Sequence, residues 1–429
     1  MKKILLWSLV LVICISMTAT LSLAGCKKAA EEAAPAEEVE EVSAEEEEEA
    51  PVPELEGEIS FWVYEPIPEG LAVLDTLKAK FEQQYPGTTI DILPIPKGDF
   101  NPKLNTAIAA GDVPDASYLD QPLVALFVRD GIIDPVPDGL INEADFYPGA
   151  LNTNRVNDEL YGLPLSQTTI ALYYNTDLVP TPPETWDEMI EIAKNVYDPD
   201  KEIAAFNVPQ GDGWGAWLFP AFVATAGGTM LDESSREVTF AEAPAVDALS
   251  LWVELLKYSP IEISTAQNAF QTGHVAMMIS GPWELGGLRA EWPELNWDVA
   301  LIPKKVQWGS NIGGDNAVVY KDAKNKDLAW AWIEFLTEDE NNLELSTTVM
   351  GNFPINLALS TGDWLNGDSQ LQTFMEQMKY AQARPTVTEW LKINDEIISR
   401  AIGDALAGTK TPEKSLIDAA DDARQILGW

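Results

Sequence analysis

The hydrophobic pattern at the start of the globular part of the chain alternates between the periods of strands and helices. Apolar side chains at Ile59, Phe61 and Val63 repeat every second residue, which predicts a strand. Apolar residues in 71–85 recur at spacings of three and four and predict an amphipathic helix, and 89–93 returns to a period of two. A strand, a helical crossover and a second strand favour a parallel pair in an open α/β sheet.

Similar patterns continue further along the chain. A helical stretch from 103 ends near 111, and a short strand follows at 116–119. Thr185 and Glu188 have the spacing of a capping box, which predicts the start of a helix. The apolar run 275–280 predicts a buried strand.

Candidate binding residues stand at the ends of these predicted strands. Ligands of open α/β sheets bind beyond the carboxyl ends of the strands. Tyr64 and Glu65 end the first strand, and Asp120 ends the strand at 116–119. Trp283 directly follows a Gly-Pro break that ends the strand 275–280, so we expect its indole at the mouth of that sheet.

Tryptophan is abundant, with 15 residues in the chain, and some of these indoles are expected to line a site. A rigid indole face can cover the apolar C–H face of a sugar ring at little cost in side-chain entropy. Trp214 and Trp217 lie in a glycine-rich passage that we predict to be a loop after a short strand at 204–208. The glycines there have the spacing G-x-G-x-G without a following Walker lysine, which disfavours a nucleotide site.

Composition excludes several classes of function. The net charge of −42 leaves no basic surface for nucleic acid. The two cysteines are Cys14 and Cys26, and His274 is the only histidine, so thiol chemistry, histidine triads and histidine or thiolate metal centres are not expected in the globular part. We predict no cofactor and no metal. The 371 residues from 59 to 429 exceed one usual core and suggest two domains.

The first 58 residues differ in composition from the globular part of the chain. Two lysines, an apolar run and a Leu-Ala-Gly-Cys sequence ending at Cys26 are typical of a lipoprotein signal peptide, which predicts a leader at 1–25 and acylation of Cys26. Residues 27–58 contain 14 acids and two lysines, so we predict that 26–58 form a lipidated, disordered acidic tether to the bilayer. The protein is then expected to be extracytoplasmic, at the cell surface or in the periplasm.

Several segments together resemble the extracellular solute-binding proteins of ABC importers, in the carbohydrate branch that includes maltose-binding protein. The resemblance extends over 57–429. The segments that carry it are Ile59-Ser-Phe-Trp62, Tyr161-Gly-Leu-Pro-Leu-Ser-Gln167, Tyr173-Tyr-Asn-Thr-Asp177, Pro182-Pro-Glu-Thr-Trp186, Ala269-Phe-Gln-Thr-Gly273, Gly281-Pro-Trp283, Asn311-Ile-Gly-Gly314 and Leu328-Ala-Trp-Ala-Trp-Ile-Glu-Phe-Leu336.

The resemblance implies an α/β, two-lobe fold of the periplasmic-binding-protein kind, with open sheets flanked by helices and a ligand cleft between lobes joined by hinge strands. It implies an N-terminal lobe of 59–168 plus 316–363 and a C-terminal lobe of 169–315 plus 364–429. The residues that it suggests for ligand binding, together with the strand-end candidates above, are Trp283, Asp120, Glu65, Tyr64, Gln167, Trp214, Trp217, Gly313, Gly314, Asp315, Asn316 and Trp390.

The function implied is a lipid-anchored, monomeric receptor without enzymatic activity, which captures a mono- or oligosaccharide and hands it to the permease subunits of an ABC importer. Two alternatives remain open. The same fold could bind a polyamine or a peptide, because an acidic cleft with aromatic walls also suits cations. A secreted glycoside hydrolase would need two carboxylates across a glycosidic bond, and Glu65 and Asp120 are the pair that the sequence offers.

Overall fold

The computed structural model describes residues 55–66 and 68–429. The strands are β1 (Gly57–Tyr64), β2 (Thr88–Ile95), β3 (Ala116–Asp120), β4 (Arg155–Val156), β5 (Glu159–Leu160), β6 (Leu163–Pro164), β7 (Ala171–Asn175), β8 (Ala204–Phe206), β9 (Leu231–Asp232), β10 (Glu237–Val238), β11 (Val275–Ser280), β12 (Trp297–Ala300), β13 (Ser310–Asn311), β14 (Asp315–Val319) and β15 (Ala381–Gln382). The helices are α1 (Pro68–Gln84), α2 (Lys97–Ala110), α3 (Gln121–Arg129), α4 (Pro148–Asn152), α5 (Trp186–Val196), α6 (Gly213–Thr225), α7 (Ala243–Leu256), α8 (Ile261–Ser264), α9 (Glu284–Glu291), α10 (Lys326–Thr337), α11 (Asp339–Glu344), α12 (Ser369–Met378), α13 (Trp390–Lys392), α14 (Ser399–Leu406) and α15 (Pro412–Leu427).

The predicted leader, Cys26 and most of the predicted tether lie outside the described residues. The strand β1 begins at Gly57, so the last two residues assigned to the tether, Gly57 and Glu58, belong to a sheet instead. Their backbone pairs with Thr88 and Thr89 of β2, which fixes them in extended conformation. In the part of the chain that the structure describes, no helix is both long enough and apolar enough to cross a bilayer.

One sheet has the strand order β2-β1-β3-β14-β6. As the pattern of strand, helix and strand predicted, β1 runs parallel to β2 and to β3. The strand β14 joins the sheet from much later in the sequence and runs antiparallel to β3 and β6. Its first residue, Asp315, is the register partner of Asp120. Two acidic residues on neighbouring strands therefore meet where β3 ends and β14 begins.

A second sheet has the order β12-β7-β11-β8. The strand β11 is the buried run predicted at 275–280, and each of its residues is buried. It runs antiparallel to β7 and parallel to β8. The helices α6, α7, α14 and α15 contribute buried residues to the core on one side of this sheet, and α12 contributes Phe374 to the core on the other.

The two sheets belong to the two lobes of the fold, each of which has its own hydrophobic core. Short backbone pairings lie where the chain connects them. Thr168 and Gly313 exchange both backbone hydrogen bonds at 2.9 Å, and Gln167 pairs with Phe353 in the same way. The strand β13 pairs in parallel with β15. The α/β, two-lobe architecture expected from the sequence is confirmed, while the residue boundaries proposed for each lobe remain a prediction.

The capping box predicted at Thr185 is present at the start of α5. The Thr185 hydroxyl accepts a hydrogen bond from the Glu188 N–H at 3.3 Å, and the Glu188 carboxylate accepts one from the Thr185 N–H at 3.1 Å. Trp186, the first helical residue, is buried and donates its indole N–H to the Pro303 carbonyl at 3.0 Å. The indole bond joins the start of α5 to the segment after β12.

We expect Thr185→Ala to lower the free energy of unfolding by about 1 kcal/mol, because an N-cap acceptor is lost. Urea denaturation followed by far-UV circular dichroism measures the change. Ser250→Ala is the matched control, since Ser250 lies inside α7 and its exposed hydroxyl bonds only to the Val246 carbonyl of the same helix. Equal shifts for the two variants would show that the capping box adds nothing.

Candidate functional site

Three tryptophans that the sequence singled out meet in one cluster, which we call the tryptophan cluster (Trp214, Trp217 and Trp283). The rings of Trp214 and Trp217 are stacked, with centroids 5.2 Å apart and an interplanar angle of 13°. Trp283 stands at an angle to both, at 6.2 and 6.3 Å. Trp214 is 44% and Trp283 37% exposed, which is unusual for side chains this large. The cluster therefore presents aromatic faces to solvent.

Local sequence explains how each ring of the cluster is held. Trp283 immediately precedes α9, at the end of β11, as the Gly-Pro break predicted. Trp214 and Trp217 occupy the first turns of α6, so the prediction of a loop there was wrong. The helix starts early because the Asp212 carboxylate caps it, accepting a hydrogen bond from the Gly215 N–H at 2.8 Å. Helical spacing then places Trp214 and Trp217 on one face, three residues apart.

Two glycines make room for the cluster. A Cβ atom at Gly281 would lie 2.1 Å from the Trp283 ring, and one at Gly313 would lie 2.9 Å from the Trp217 ring. Real Cβ atoms do not approach ring carbons to 2.1 Å, so Trp283 can fold back over the end of β11 only because residue 281 is glycine. The contact at Gly313 also brings the cluster next to the start of β14.

We expect Gly281→Ala to weaken solute binding about five- to thirty-fold, equivalent to about 1–2 kcal/mol, because the Trp283 indole must move. Isothermal titration with a solute that the parent chain binds measures the loss of affinity. Gly286→Ala is the control, because a Cβ at Gly286 meets nothing within 4 Å. If Gly281→Ala bound as tightly as Gly286→Ala, the position of the Trp283 ring would not matter for the site.

The carboxyl ends of β1 and β3 and the start of β14 form a polar edge, which we call the carboxylate edge (Tyr64, Asp120 and Asp315). The Tyr64 ring packs on Phe100 at 4.6 Å, and the Lys97 ammonium lies 5.0 Å from its centroid. Burial, with the nearby Asp315 charge, raises the pKa of the Tyr64 phenol well above its ordinary value. Burial is also the main cause that raises the pKa of Asp315. This edge offers a phenol and carboxylate oxygens to a ligand.

The structure adds Arg384, which the sequence did not single out. Its guanidinium donates to the Asp120 carboxylate at 2.7 Å and to the Gln121 side-chain oxygen at 3.1 Å. The side chain of Arg384 is 7% exposed, against 35% for that of Asp120. Asp120 precedes α3 but makes no cap bond to it, so its carboxylate is available for Arg384. Arg384 thus joins the segment after β15 to the end of β3.

Three predicted residues, Gln167, Gly313 and Gly314, lie where the chain connects the lobes, and a fourth, Asn316, lies within the first sheet. Gln167 is buried, and its amide donates to the Pro354 carbonyl at 2.8 Å. The N–H of Gly313 already donates to Thr168, and Gly314 adopts a φ of 139° close to Ser166. Asn316 is buried and accepts a hydrogen bond from the Asn154 amide at 2.8 Å. In this structure the bonds of Gln167 and Gly313 lie at the connection between the lobes, whereas the bond of Asn316 lies within the first lobe.

The remaining predicted residues do not meet the tryptophan cluster. Trp390, expected as a late aromatic platform, is 1% exposed and packs in the core of the second lobe. Its faces are therefore covered by protein. Glu65 is exposed beyond the end of β1, and its N–H donates to the Ile95 carbonyl at 2.8 Å.

Two cavities lie on either side of the segment 383–386. The smaller, of about 150 Å³, is bordered by α3, α4 and β4, and the larger, of about 270 Å³, by β9 and β13. Arg384 lines both, whereas none of the tryptophan cluster lines either. The exposed aromatic faces of the cluster therefore lie outside both cavities.

Comparisons with known proteins agree with this architecture. A relative from Brucella abortus (strain 2308), named only as a binding protein, is 27% identical over 388 residues, which are 86% of this chain and 93% of the relative. A maltotriose-binding protein of Pyrococcus abyssi is 22% identical over 342 residues, 77% of this chain and 73% of its own length. The crystal structure of an ABC transporter solute-binding protein from Thermotoga lettingae, bound with α-D-tagatose, has a TM-score of 0.78 and 25% identity, over 86% of this chain and 99% of that one.

A family model matches residues 76–373 of this chain, well over half of its length. The resemblance inferred from the sequence motifs is thereby confirmed, and it places the protein with non-enzymatic solute-binding proteins. The chain belongs to the bacterial extracellular solute-binding protein family.

Proposed function

We propose that this protein captures a carbohydrate in the cleft between the tryptophan cluster and the carboxylate edge. The observation that carries this proposal is the cluster itself, in which two of the three indoles are more than a third exposed. Sugars present both an apolar C–H face and a ring of hydroxyls. The tryptophan cluster suits the C–H face, and the carboxylate edge suits the hydroxyls.

The aromatic side of the cleft supplies non-polar contact. Indole faces bury a large area and lose little conformational freedom when they do so, which makes them efficient contacts for a rigid ring. Because Trp214 and Trp217 are stacked on each other and Trp283 stands across them, the three rings stiffen one another before a ligand arrives. Such preorganisation reduces the entropy that binding must overcome.

The polar side supplies hydrogen bonds. The Asp120 carboxylate accepts hydrogen bonds, and the Arg384 guanidinium beside it donates them, so the pair can hold two neighbouring hydroxyls of one ring. Thr168 adds a buried hydroxyl that has no partner among the described residues, next to Gly313 and the Trp217 ring. A site built to bond hydroxyls discriminates against solutes that lack them.

Two of the similar proteins described above also favour a sugar. One is named for maltotriose, and the other was crystallised with α-D-tagatose. They differ in the size of their ligands, so they support the carbohydrate class and leave its length to experiment.

Delivery to a membrane partner completes the proposed function. The Leu-Ala-Gly-Cys sequence ending at Cys26 supports acylation of that cysteine and tethering outside the cytoplasm, and the family supports transfer to the permease subunits of an ABC importer. A solute that contacts both lobes stabilises the closed form more than the open one, which shifts the population toward closure. Closure is then the state that a permease recognises.

Thermal unfolding of the chain from residue 26, with Cys26→Ser to prevent acylation, tests the solute class. A ligand that binds only the folded state raises the midpoint by mass action. We expect a shift with one group of sugars in a panel that also contains polyamines and short peptides. A shift only with polyamines or peptides would keep the fold and overturn the carbohydrate proposal.

Radiolabelled palmitate fed to expressing cells tests the anchor separately. We expect label on the parent chain and none on Cys26→Ser. Equal labelling of both chains would contradict acylation at Cys26.

A further inference from the structure

Arg384 occupies an unusual place in this acidic protein. It follows β15, the strand that pairs with β13 near the connection between the lobes, and its side chain is nine-tenths buried. Its guanidinium reaches across to Asp120 and Gln121, which stand 264 and 263 residues earlier in the chain. Its Nε atom is buried without a hydrogen-bond partner among the described residues. A buried cation held in this way needs negative charge close by.

Three carboxylates supply that negative charge. Asp120 is bonded directly to Arg384, and Asp315 is the register partner of Asp120 on β14. Asp395 lies against the start of α6, with one carboxylate oxygen 3.7 Å from the position of a Cβ at Gly213. Burial and the Asp120 charge raise the pKa of Asp315 and of Asp395, and the Arg384 charge lowers both. The guanidinium therefore contacts Asp120 directly, and its charge also acts on Asp315 and Asp395.

Without a cation at position 384, this cleft would suit positively charged solutes. Aromatic faces attract ammonium groups through cation-π contacts, and Trp214 directly follows the Gly213 that Asp395 approaches. Adjacent carboxylates would add an electrostatic attraction that a neutral sugar does not share. Lys97, at the outer side of the Tyr64 ring, is the other cation that acts on Asp315.

We propose that Arg384 sets the specificity of the cleft, because its guanidinium offsets the carboxylates that would otherwise hold a polyamine and so reserves the site for neutral, hydroxylated solutes. The proposal rests on the carbohydrate function inferred above. It assigns to Arg384 a role in excluding the wrong solute as well as in bonding the right one.

Calorimetric titration of Arg384→Gln with spermidine, and with a sugar that binds the parent, tests this assignment. We expect sugar affinity to fall about ten-fold or more and spermidine affinity to rise about ten-fold, because one positive charge leaves a cluster of three carboxylates. Arg129→Gln is the matched control. It removes the same charge from an exposed site, where Arg129 pairs with its neighbour Asp130 at 2.9 Å and with Glu389 at 3.7 Å. We expect it to change neither affinity.

A double variant separates charge from structural damage. Adding Asp315→Asn to Arg384→Gln restores the balance of charge, so the gain in spermidine affinity should disappear. Damage to the fold would not be reversed in this way. Arg384→Lys keeps the charge and loses the planar fork, so it should still exclude spermidine while binding sugar more weakly.

Three outcomes would overturn the role of Arg384. The first is that Arg384→Lys binds spermidine as tightly as Arg384→Gln does. The second is that Arg384→Gln binds spermidine no more tightly than Arg129→Gln does. The third is that the double variant keeps the gain in spermidine affinity. The Lys variant keeps the test decisive if the Gln variant does not fold. A parent chain that binds spermidine and no sugar would instead overturn the carbohydrate function itself.

Discussion

Trp283→Ala is expected to weaken carbohydrate binding about 30- to 150-fold, which corresponds to about 2–3 kcal/mol. The indole is 37% exposed, stands across the stacked pair of Trp214 and Trp217, and follows directly from the buried strand β11. Its removal takes away a large apolar contact at a rigid position. Because the ring is partly exposed, the fold should remain intact. Isothermal titration measures the affinity, and the thermal midpoint of the unliganded protein reports the fold.

The matched control is Trp308→Ala. Trp308 also belongs to the second lobe, and the Lys304 ammonium lies 4.0 Å from the centroid of its ring. The neighbouring segment 305–307 donates backbone hydrogen bonds to Thr225, which ends α6, whereas Trp214 lies at the start of that helix. We expect this variant to bind as the parent does. Equal losses for the two variants would indicate a general effect of removing an indole, and an unchanged affinity for Trp283→Ala would remove the central residue of the proposed site.

Asp120→Ala is expected to weaken binding about 10- to 150-fold, equivalent to about 1.5–3 kcal/mol. The carboxylate is the acceptor of the Arg384 guanidinium, and it stands at the end of β3 where strand-end ligands bind. Its loss removes an acceptor for sugar hydroxyls and leaves a buried guanidinium without its charged partner. Titration calorimetry measures the affinity, and small-angle X-ray scattering follows closure.

Asp134→Asn serves as the control for Asp120. Asp134 also belongs to the first lobe and also pairs with a cation, Lys326, and its N–H bonds to Val319, at the opposite end of β14 from Asp315. We expect it to bind and close as the parent does. If Asp120→Ala closed around the sugar with the affinity of Asp134→Asn, the carboxylate edge would not form part of the binding site.

Features encoded by short stretches of sequence were predicted well. The period-two and helical patterns gave the parallel pairing of β1 and β2, since alternation along a strand reports directly which face is buried. Thr185 and Glu188 formed the expected capping box because both partners lie within one helical turn. Trp283 appeared at the end of β11 because a Gly-Pro pair ends a strand for local reasons.

Features that depend on packing were predicted less well. The glycines around Trp214 have low helix propensity and favoured a loop, yet the apolar run after them packs as α6 and Asp212 caps it. Trp390 is a lone aromatic whose surroundings come from distant parts of the chain, so its burial in the core could not be read from its neighbours in sequence.

Arg384 was missed for the most general reason. Its partner Asp120 is 264 residues away, and the local sequence, Ala-Arg-Pro, gives no indication of an ion pair. One signal was available in principle. In a chain with 27 basic and 69 acidic residues, a lone arginine flanked by apolar residues is a candidate for burial against a carboxylate. The charge balance of the cleft therefore came from tertiary structure.

A crystal structure of the protein with a carbohydrate selected by the thermal-shift panel is the most direct test of the proposed site. We expect a sugar ring whose apolar face lies on Trp283, with Trp214 and Trp217 beside it and at least one hydroxyl bonded to Asp120. A sugar bound elsewhere, with the tryptophan cluster and Asp120 making no contact to it, would show that the proposed site is wrong.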